Sequence, residues 1–157
     1  IHGRTRCQFY KGNADWKAIR SVKDAVDVPV IANGDIIDTA TAREALAQSG
    51  ADGVMIGRGA QGKPWLLAQV AAEIYDLPPP NIPKHDDLRE MIKSHYRAMI
   101  DFYGAEHGNK VARKHLGWYM DDLPVTPQQR RALQTQKDPD VTLSMIDDLP
   151  DAMERCA

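Results

Sequence analysis

Pro29-Val30-Ile31-Ala32-Asn33-Gly34-Asp35 opens a stretch that runs to Trp65 and repeats one pattern twice: a short apolar run, a glycine turn, a helix. Residues 29–32 are continuously apolar and β-branched in part, as a parallel-sheet strand covered on both faces should be. Asn33-Gly34-Asp35 stops that run. Asp38 is an N-cap for a helix expected over 39–49, whose Ala42, Ala45 and Leu46 share one face, with Gly50 at the C-terminal cap. The chain returns in a second strand over 53–56, and a second turn, Gly57-Arg58-Gly59, follows it. Pro64 is read as the first residue of the next helix, where a missing N–H costs nothing. Strand, turn and helix in succession make two βα units of an α/β fold.

Two such turns at the carboxyl ends of neighbouring parallel strands build an anion site. Gly34, Gly57 and Gly59 let a phosphate approach backbone N–H groups. A helix N-terminus adds partial positive charge, and Arg58 supplies a planar fork that matches phosphate oxygens. In a (β/α)8 barrel, phosphate sits on the loops after the last two strands. The plainer alternative is that the three glycines only form turns and that Arg58 is a solvated or ion-paired surface residue. Two turns in register, one of them Gly-Arg-Gly, favour the phosphate site.

The 157 residues, 43% hydrophobic and 27% charged, are enough to bury a core and ordinary in composition. No apolar run approaches a membrane span and no signal sequence opens the chain, so the expectation is a cytoplasmic protein with no membrane partner. Cys7 and Cys156 are far apart and lack metal-ligand spacing, which points to neither a disulfide framework nor a metal site. A net charge of -2 excludes a protein that is basic throughout. Ile1-His2-Gly3-Arg4-Thr5-Arg6 has no initiator methionine and reads as the end of a strand and its loop. Residues 16–26 then form an amphipathic helix behind an Asp15 N-cap, with Trp16, Ile19, Val22 and Val26 near helical spacing. Three βα units, the first cut short, are less than half of a barrel of about 250 residues. Residues 1–76 are therefore expected to be the C-terminal part of a barrel. An incomplete barrel has an unpaired strand edge and an uncovered apolar face, so self-association or partial disorder is expected there.

Residues 77–85, Leu-Pro-Pro-Pro-Asn-Ile-Pro-Lys-His, hold four of the ten prolines and read as a semi-rigid linker. From 86 to 157 the signals are helical. Asp87 and Glu90 suggest a capping box ahead of Leu88, Met91, Ile92, His95, Met99 and Phe102, with Gly104 as the stop. A second helix is expected over about 109–120. Thr126-Pro127-Gln128-Gln129 begins a third, and residues 140–148 form a fourth. The fold class is thus α/β followed by an all-α bundle. Between 107 and 131, Lys110, Arg113, Lys114, Arg130 and Arg131 stand against Asp121 and Asp122, whereas 138–157 carries six acids and one arginine. The first three cations fall within about one turn and the last two belong to the next helix, so the groups can converge on nucleic-acid phosphates. A solvated helix face is the alternative. Trp118 and Tyr119 have rings able to stack on a base but are read as core.

His2-Gly3-Arg4-Thr5-Arg6, Ala32-Asn33-Gly34-Asp35-Ile36, Asp52-Gly53-Val54-Met55-Ile56-Gly57-Arg58-Gly59-Ala60 and Ala112-Arg113-Lys114-His115-Leu116-Gly117-Trp118-Tyr119 together resemble bacterial tRNA-dihydrouridine synthases, most closely the B subfamily. The resemblance covers essentially the whole chain. It implies an FMN-binding TIM (β/α)8 barrel, of which this chain would hold about the last three βα units, followed by a helical tRNA-binding domain. It also implies reduction of chosen uridines in tRNA to 5,6-dihydrouridine with NADPH. On this resemblance His2 contacts the flavin at the end of the sixth strand. Asn33, Gly34 and Asp35 bind FMN after the seventh, and Gly57 and Arg58 after the eighth. The basic residues of the bundle would set the affinity and position of tRNA. The family's proton-donating cysteine belongs to the other half of the barrel, so no catalytic residue is assigned in this chain. Cys7 lies on a different loop, and residues 8–13 are expected to form a mobile segment at the barrel mouth. In the implied chemistry NADPH reduces FMN, hydride then passes to C6 of a uracil drawn out of its stack, and the upstream cysteine protonates C5. Two other classes stay open: another FMN- or phosphate-binding barrel oxidoreductase acting on a small pyrimidine-like substrate, which the bundle argues against, and a non-catalytic RNA-binding fragment.

Overall fold

The computed structural model describes residues 1–9 and 11–152. Tyr10 within the 8–13 segment, Glu154 of the acidic run and Cys156 lie outside the described residues. The chain forms two compact units, Ile1–Pro80 and Asn81–Ala157.

In the first unit, β1 (Ile31–Asn33) and β2 (Gly53–Met55) pair in parallel, with Ile31 opposite Gly53 and Asn33 opposite Met55. The opening residues add a third parallel edge on the other side of β1. His2 bridges Asn33, the Gly3 N–H donates to the Asn33 carbonyl at 2.9 Å, and the Asn33 N–H donates to the Ile1 carbonyl at 2.9 Å. Helices α1 (Trp16–Lys23), α2 (Thr39–Ser49) and α3 (Leu66–Ile74) follow the three edges in turn.

Helix α2 has the expected bounds because both of its ends are set by local chemistry. The Asp38 carboxylate accepts from the Thr41 N–H at 2.7 Å, and Gly50 turns the chain at φ 64. Arg20 lies over that end, donating to the carbonyls of Ala47 and Gln48. Elsewhere the boundaries move. Helix α1 keeps its Asp15 cap but stops at Lys23 rather than 26, and of its expected apolar face Ile19 is buried while Val22 and Val26 are exposed. The first strand starts at Ile31 rather than 29. Pro29 has no N–H to give, and Val30 is occupied by Asp52, whose carboxylate accepts from the Val30 N–H at 2.6 Å and whose own N–H donates to the Val30 carbonyl at 2.8 Å. The second strand ends at Met55, one residue early. Pro64 sits in a turn, and α3 begins at Leu66. The sheet is also not covered on both faces by the described residues. Ala32 is fully buried with Ile19 and Val30, but Ile31 and Met55, on the opposite face, are 44% and 51% exposed.

The second unit contains α4 (His85–Tyr103), α5 (Ala105–Tyr119), α6 (Pro127–Thr135) and α7 (Pro139–Asp147). Ile92, Tyr96, Ala112, Leu116, Leu133 and Ile146 form the centre of its core. The box at Thr126 is present as expected, with Pro127 in the first turn and Gln129 closing it. Asp87 is not an N-cap: α4 starts at His85, which leaves Asp86 and Asp87 in the first turn, where the helix dipole favours acids, and Glu90 pairs with Lys93 instead. Helix α5 begins at Ala105, four residues ahead of 109, and so contains Gly108. A Cβ there would lie 2.7 Å from the Met99 carbonyl oxygen, so a residue that weakens an isolated helix permits close packing of α5 on α4. Helix α7 spans 139–147 behind an Asp138 cap. Tyr119 belongs to the core, and Trp118 packs edge-on against His115.

Candidate functional site

Three loops meet at the carboxyl ends of the three parallel edges, around a cavity of about 530 Å³ lined by His2, Asn33, Gly34, Asp35, Gly57 and Arg58, with Ile36, Ile37 and Met55 among its apolar residues. All six residues expected at the flavin thus lie on one cavity, although they come from three separate stretches of chain.

Each loop is held by its own contacts. The amide of Asn33 donates to the Met55 carbonyl at 2.8 Å and laces the ends of β1 and β2 together. Gly34 has φ 115, and a Cβ there would sit 2.8 Å from the Ala14 Cβ and 3.0 Å from His2 Cε1, so no side chain fits. Its carbonyl accepts from the Trp16 indole N–H at 2.8 Å. His2 Nδ1 accepts from the Arg4 N–H at 3.0 Å, which places the proton of the neutral ring on Nε2. The two glycines of the second turn do different things. A Cβ on Gly59 would strike the Ile36 carbonyl oxygen and lie 2.9 Å from Ile37 Cα, so this residue lets the second turn press on the first. At Gly57 a Cβ would meet no heavy atom within 4 Å, which leaves the backbone approachable from the cavity.

Asp35 plays a part that its spacing did not suggest. At φ 54, its carboxylate accepts from the Arg4 guanidinium at 2.5 Å and from the Ala14 N–H at 2.7 Å. The Arg4 side chain is 6% exposed and also donates to the carbonyls of Lys11 and Gly12. The Arg4 hydrogen bond holds the Asp35 carboxyl below the usual carboxylate range against the opposing effect of burial, and the Ala14 N–H adds to it. Asp35 is therefore an anchor for the loop before α1, and Arg4 neutralises its charge beside the cavity. Sequence reasoning missed Arg4 because the pair is far apart along the chain. The one available signal was an arginine and an acid on loops at the same end of adjacent strands.

In the second unit, Lys110 and Arg113 line a cavity of about 600 Å³ together with Glu106, Asn109 and Lys137. Lys110 pairs with Glu106 at 2.7 Å. Arg130 lies elsewhere, donating to the Gly117 carbonyl and to Asp121, each at 2.9 Å. Lys114 and Arg131 are exposed and do not line this cavity. The structure thus joins two of the five expected cations and adds Lys137, which the charge pattern of the helices did not single out. Between α4 and α5, His95 Nδ1 lies 3.0 Å from the Tyr119 hydroxyl, and the His95 and His115 rings meet edge to face at 4.9 Å. Burial pushes the pKa of both imidazoles down, and His95 adds to the effect on His115. Among the described residues no cluster of His, Cys, Asp and Glu is arranged to hold a metal, and no helix is long and apolar enough to cross a membrane.

Comparison with known proteins gives this geometry a context. The family model described as dihydrouridine synthase (Dus) matches residues 1–154. A probable tRNA-dihydrouridine synthase of Rhodobacter capsulatus is 52% identical over 148 residues, covering 93% of this chain and 44% of that protein. The corresponding protein of Rickettsia conorii is 50% identical over 139 residues, with 88% and 42% covered. tRNA-dihydrouridine synthase B of Xanthomonas axonopodis pv. citri is 41% identical over 156 residues, with 98% and 46% covered. The chain spans less than half the length of these curated relatives. A family model matched over nearly every residue, and relatives at half identity, make this chain a member of the dihydrouridine synthase family.

Proposed function

We propose that residues 1–76 form the cofactor-phosphate side of an FMN-binding (β/α)8 barrel, joined through 77–85 to a helical tRNA-binding domain. In this reading the complete protein reduces chosen uridines of tRNA to 5,6-dihydrouridine with NADPH, in the cytoplasm. The observation that carries the proposal is the convergence of His2, Asn33, Gly34, Asp35, Gly57 and Arg58 on one cavity at the carboxyl ends of three parallel edges. Consecutive βα units of such a barrel follow one another in this order, and its phosphate groups are bound at this end.

The residues suit FMN. The cavity falls within the roughly 300–1,000 Å³ common for small-molecule sites. The approachable backbone at Gly57 and the guanidinium of Arg58 would hold the phosphate, and the Nε2–H of His2 would donate to an acceptor on the cofactor. Asn33 and Asp35 would act by keeping their loops in place. When bound, the flavin supplies the hydride chemistry. The bare strand face carrying Ile31 and Met55 supports self-association of the chain as it stands, and sedimentation that finds only monomer would remove that element.

The test uses the complete protein. It should retain FMN through purification and, given NADPH, add two hydrogens to uridine in tRNA that lacks dihydrouridine, as read by mass spectrometry of nucleosides. Reduction of free uracil or uridine with no action on tRNA would instead identify a small-molecule oxidoreductase. Absence of bound flavin would overturn the cofactor assignment.

A further inference from the structure

The cavity of the second unit has an organisation that charge pattern alone does not reveal. Lys110 and Arg113 reach it from one face of α5, and Lys137 reaches it from the connection between α6 and α7. Asn109, which is 7% exposed, makes that convergence possible. Its Oδ1 accepts from the buried Tyr96 hydroxyl at 2.5 Å, and its Nδ2 donates to the Lys137 carbonyl at 2.7 Å. The Lys137 N–H is also engaged, by the Gln136 side-chain oxygen at 2.8 Å. The backbone of Lys137 is thus held at both its donor and its acceptor, while its side chain stays exposed at the cavity.

The balance of groups selects the ligand. Three cations face one acid, Glu106, whose side chain is 88% exposed and already paired with Lys110. The positive end of α5 lies beside them, since Ala105 begins that helix and lines the cavity. Among the described residues no carboxylate pairs with Arg113, and its Nε is buried without a hydrogen-bond partner, in contrast with Arg130. Among the described residues the wall is made of cationic and amide side chains with Glu106 and Ala105, so the site offers charge and hydrogen bonds. Such a site suits one charged group of a polymer that is held at other points as well.

We propose that this cavity takes a phosphate group of an RNA backbone, with Lys137 as its third cation and Asn109 as the residue that positions Lys137. The proposal rests on the tRNA reading above and sharpens it. The measurement is tRNA affinity of the complete protein across a salt series. Lys137→Ala should weaken binding at low salt and lower the slope of log affinity against log salt by about 0.7–0.9, with the melting temperature unchanged because the side chain is exposed. Arg97→Ala, an exposed arginine of α4 that does not line the cavity, should leave the slope as it was. Asn109→Ala should lower the slope like Lys137→Ala and lower it no further when the two are combined. A purely structural Asn109 would change the melting temperature and not the slope. If the wild-type protein binds tRNA and Lys137→Ala keeps the full slope, this site is wrong while the tRNA reading stands. Wild-type protein with no salt-sensitive tRNA binding would overturn both. Inorganic phosphate that shifts the NMR signals of Lys110, Arg113 and Lys137, with the tRNA slope unaltered in Lys137→Ala, would identify a free-anion site and reject RNA.

Discussion

The two units hold charge in opposite ways. Around the cavity of the first, the geometry belongs to the backbone: Gly34 and Gly59 admit no side chain, and Asp35 is locked by Arg4 and Ala14. In the second, the charges sit on long side chains, several shared with neighbouring acids, such as Lys110 with Glu106 and Arg130 with Asp121. A preformed cradle suits one ligand of fixed shape, because little freedom is lost on binding. Cations on long side chains suit a polymer that presents the same charge many times and tolerates small shifts in register. The contrast predicts that substitutions in the first unit act sharply and those in the second act by degrees.

The largest effect is expected at Gly59. An added methyl group meets backbone at Ile36 and Ile37, which cannot rotate away, so Gly59→Ala should cost about 1–3 kcal/mol of stability and release FMN as the two turns separate. Thermal melting and flavin content measure this together, and a variant with wild-type values in both would show that the turns do not depend on their close approach. Arg58→Ala should separate the two properties. The melting temperature should fall much less than in Gly59→Ala while FMN affinity falls by about 1.5–3 kcal/mol, with Arg58→Lys restoring part of it through charge without the planar fork. Equal flavin affinity in Arg58→Ala would remove Arg58 from the phosphate. In the second unit, Lys110→Ala combined with Arg113→Ala should leave flavin content alone and lower the tRNA salt slope by somewhat under about two units. A slope unaffected by both would leave the basic face as ordinary solvated surface.

The most gradual effect is with pH. Because burial lowers the pKa of His95 and His115 in the fold, the unfolded chain takes up protons first as pH falls below about 6.5. Their contribution to stability is complete above that pH and is lost as pH falls toward the lowered folded values. Asp35 titrates lower. Its carboxyl is held below 3.8, so the Arg4 lock is complete above that value and is lost only as pH falls through the folded pKa. Mild acid should therefore weaken the helical unit before that lock, as read by hydrogen exchange at about pH 7.5 and about pH 5.5. His95→Gln and His115→Gln should flatten the dependence in the second unit, and an unchanged profile in both would place its origin elsewhere.

Elements bounded by their own side chains were legible in the sequence. Helix α2 lies between Asp38 and Gly50, and α6 starts at the Thr126 box, because a cap needs only residues within one turn. Elements bounded by distant partners were not. Val30 was lost from the first strand to Asp52, and the helix expected over about 109–120 starts at Ala105, with Gly108 packed against Met99 and Ile100. The candidate sites divide in the same way. Glycines and Arg58 announced the first cavity through local turn chemistry, whereas Arg4 and Lys137 enter through contacts that span long stretches of chain. Arg130 reads as a phosphate ligand from its charge alone, and its contacts with Gly117 and Asp121 come from residues 13 and 9 positions away.

The indole of Trp16 donates its N–H to the Gly34 carbonyl, and Gly34 lines the first cavity. This single bond gives the protein a built-in optical probe. The emission of an indole depends on the polarity and hydrogen bonding around its nitrogen, so filling or emptying the cavity should be visible in the light from the first residue of α1, with no label attached.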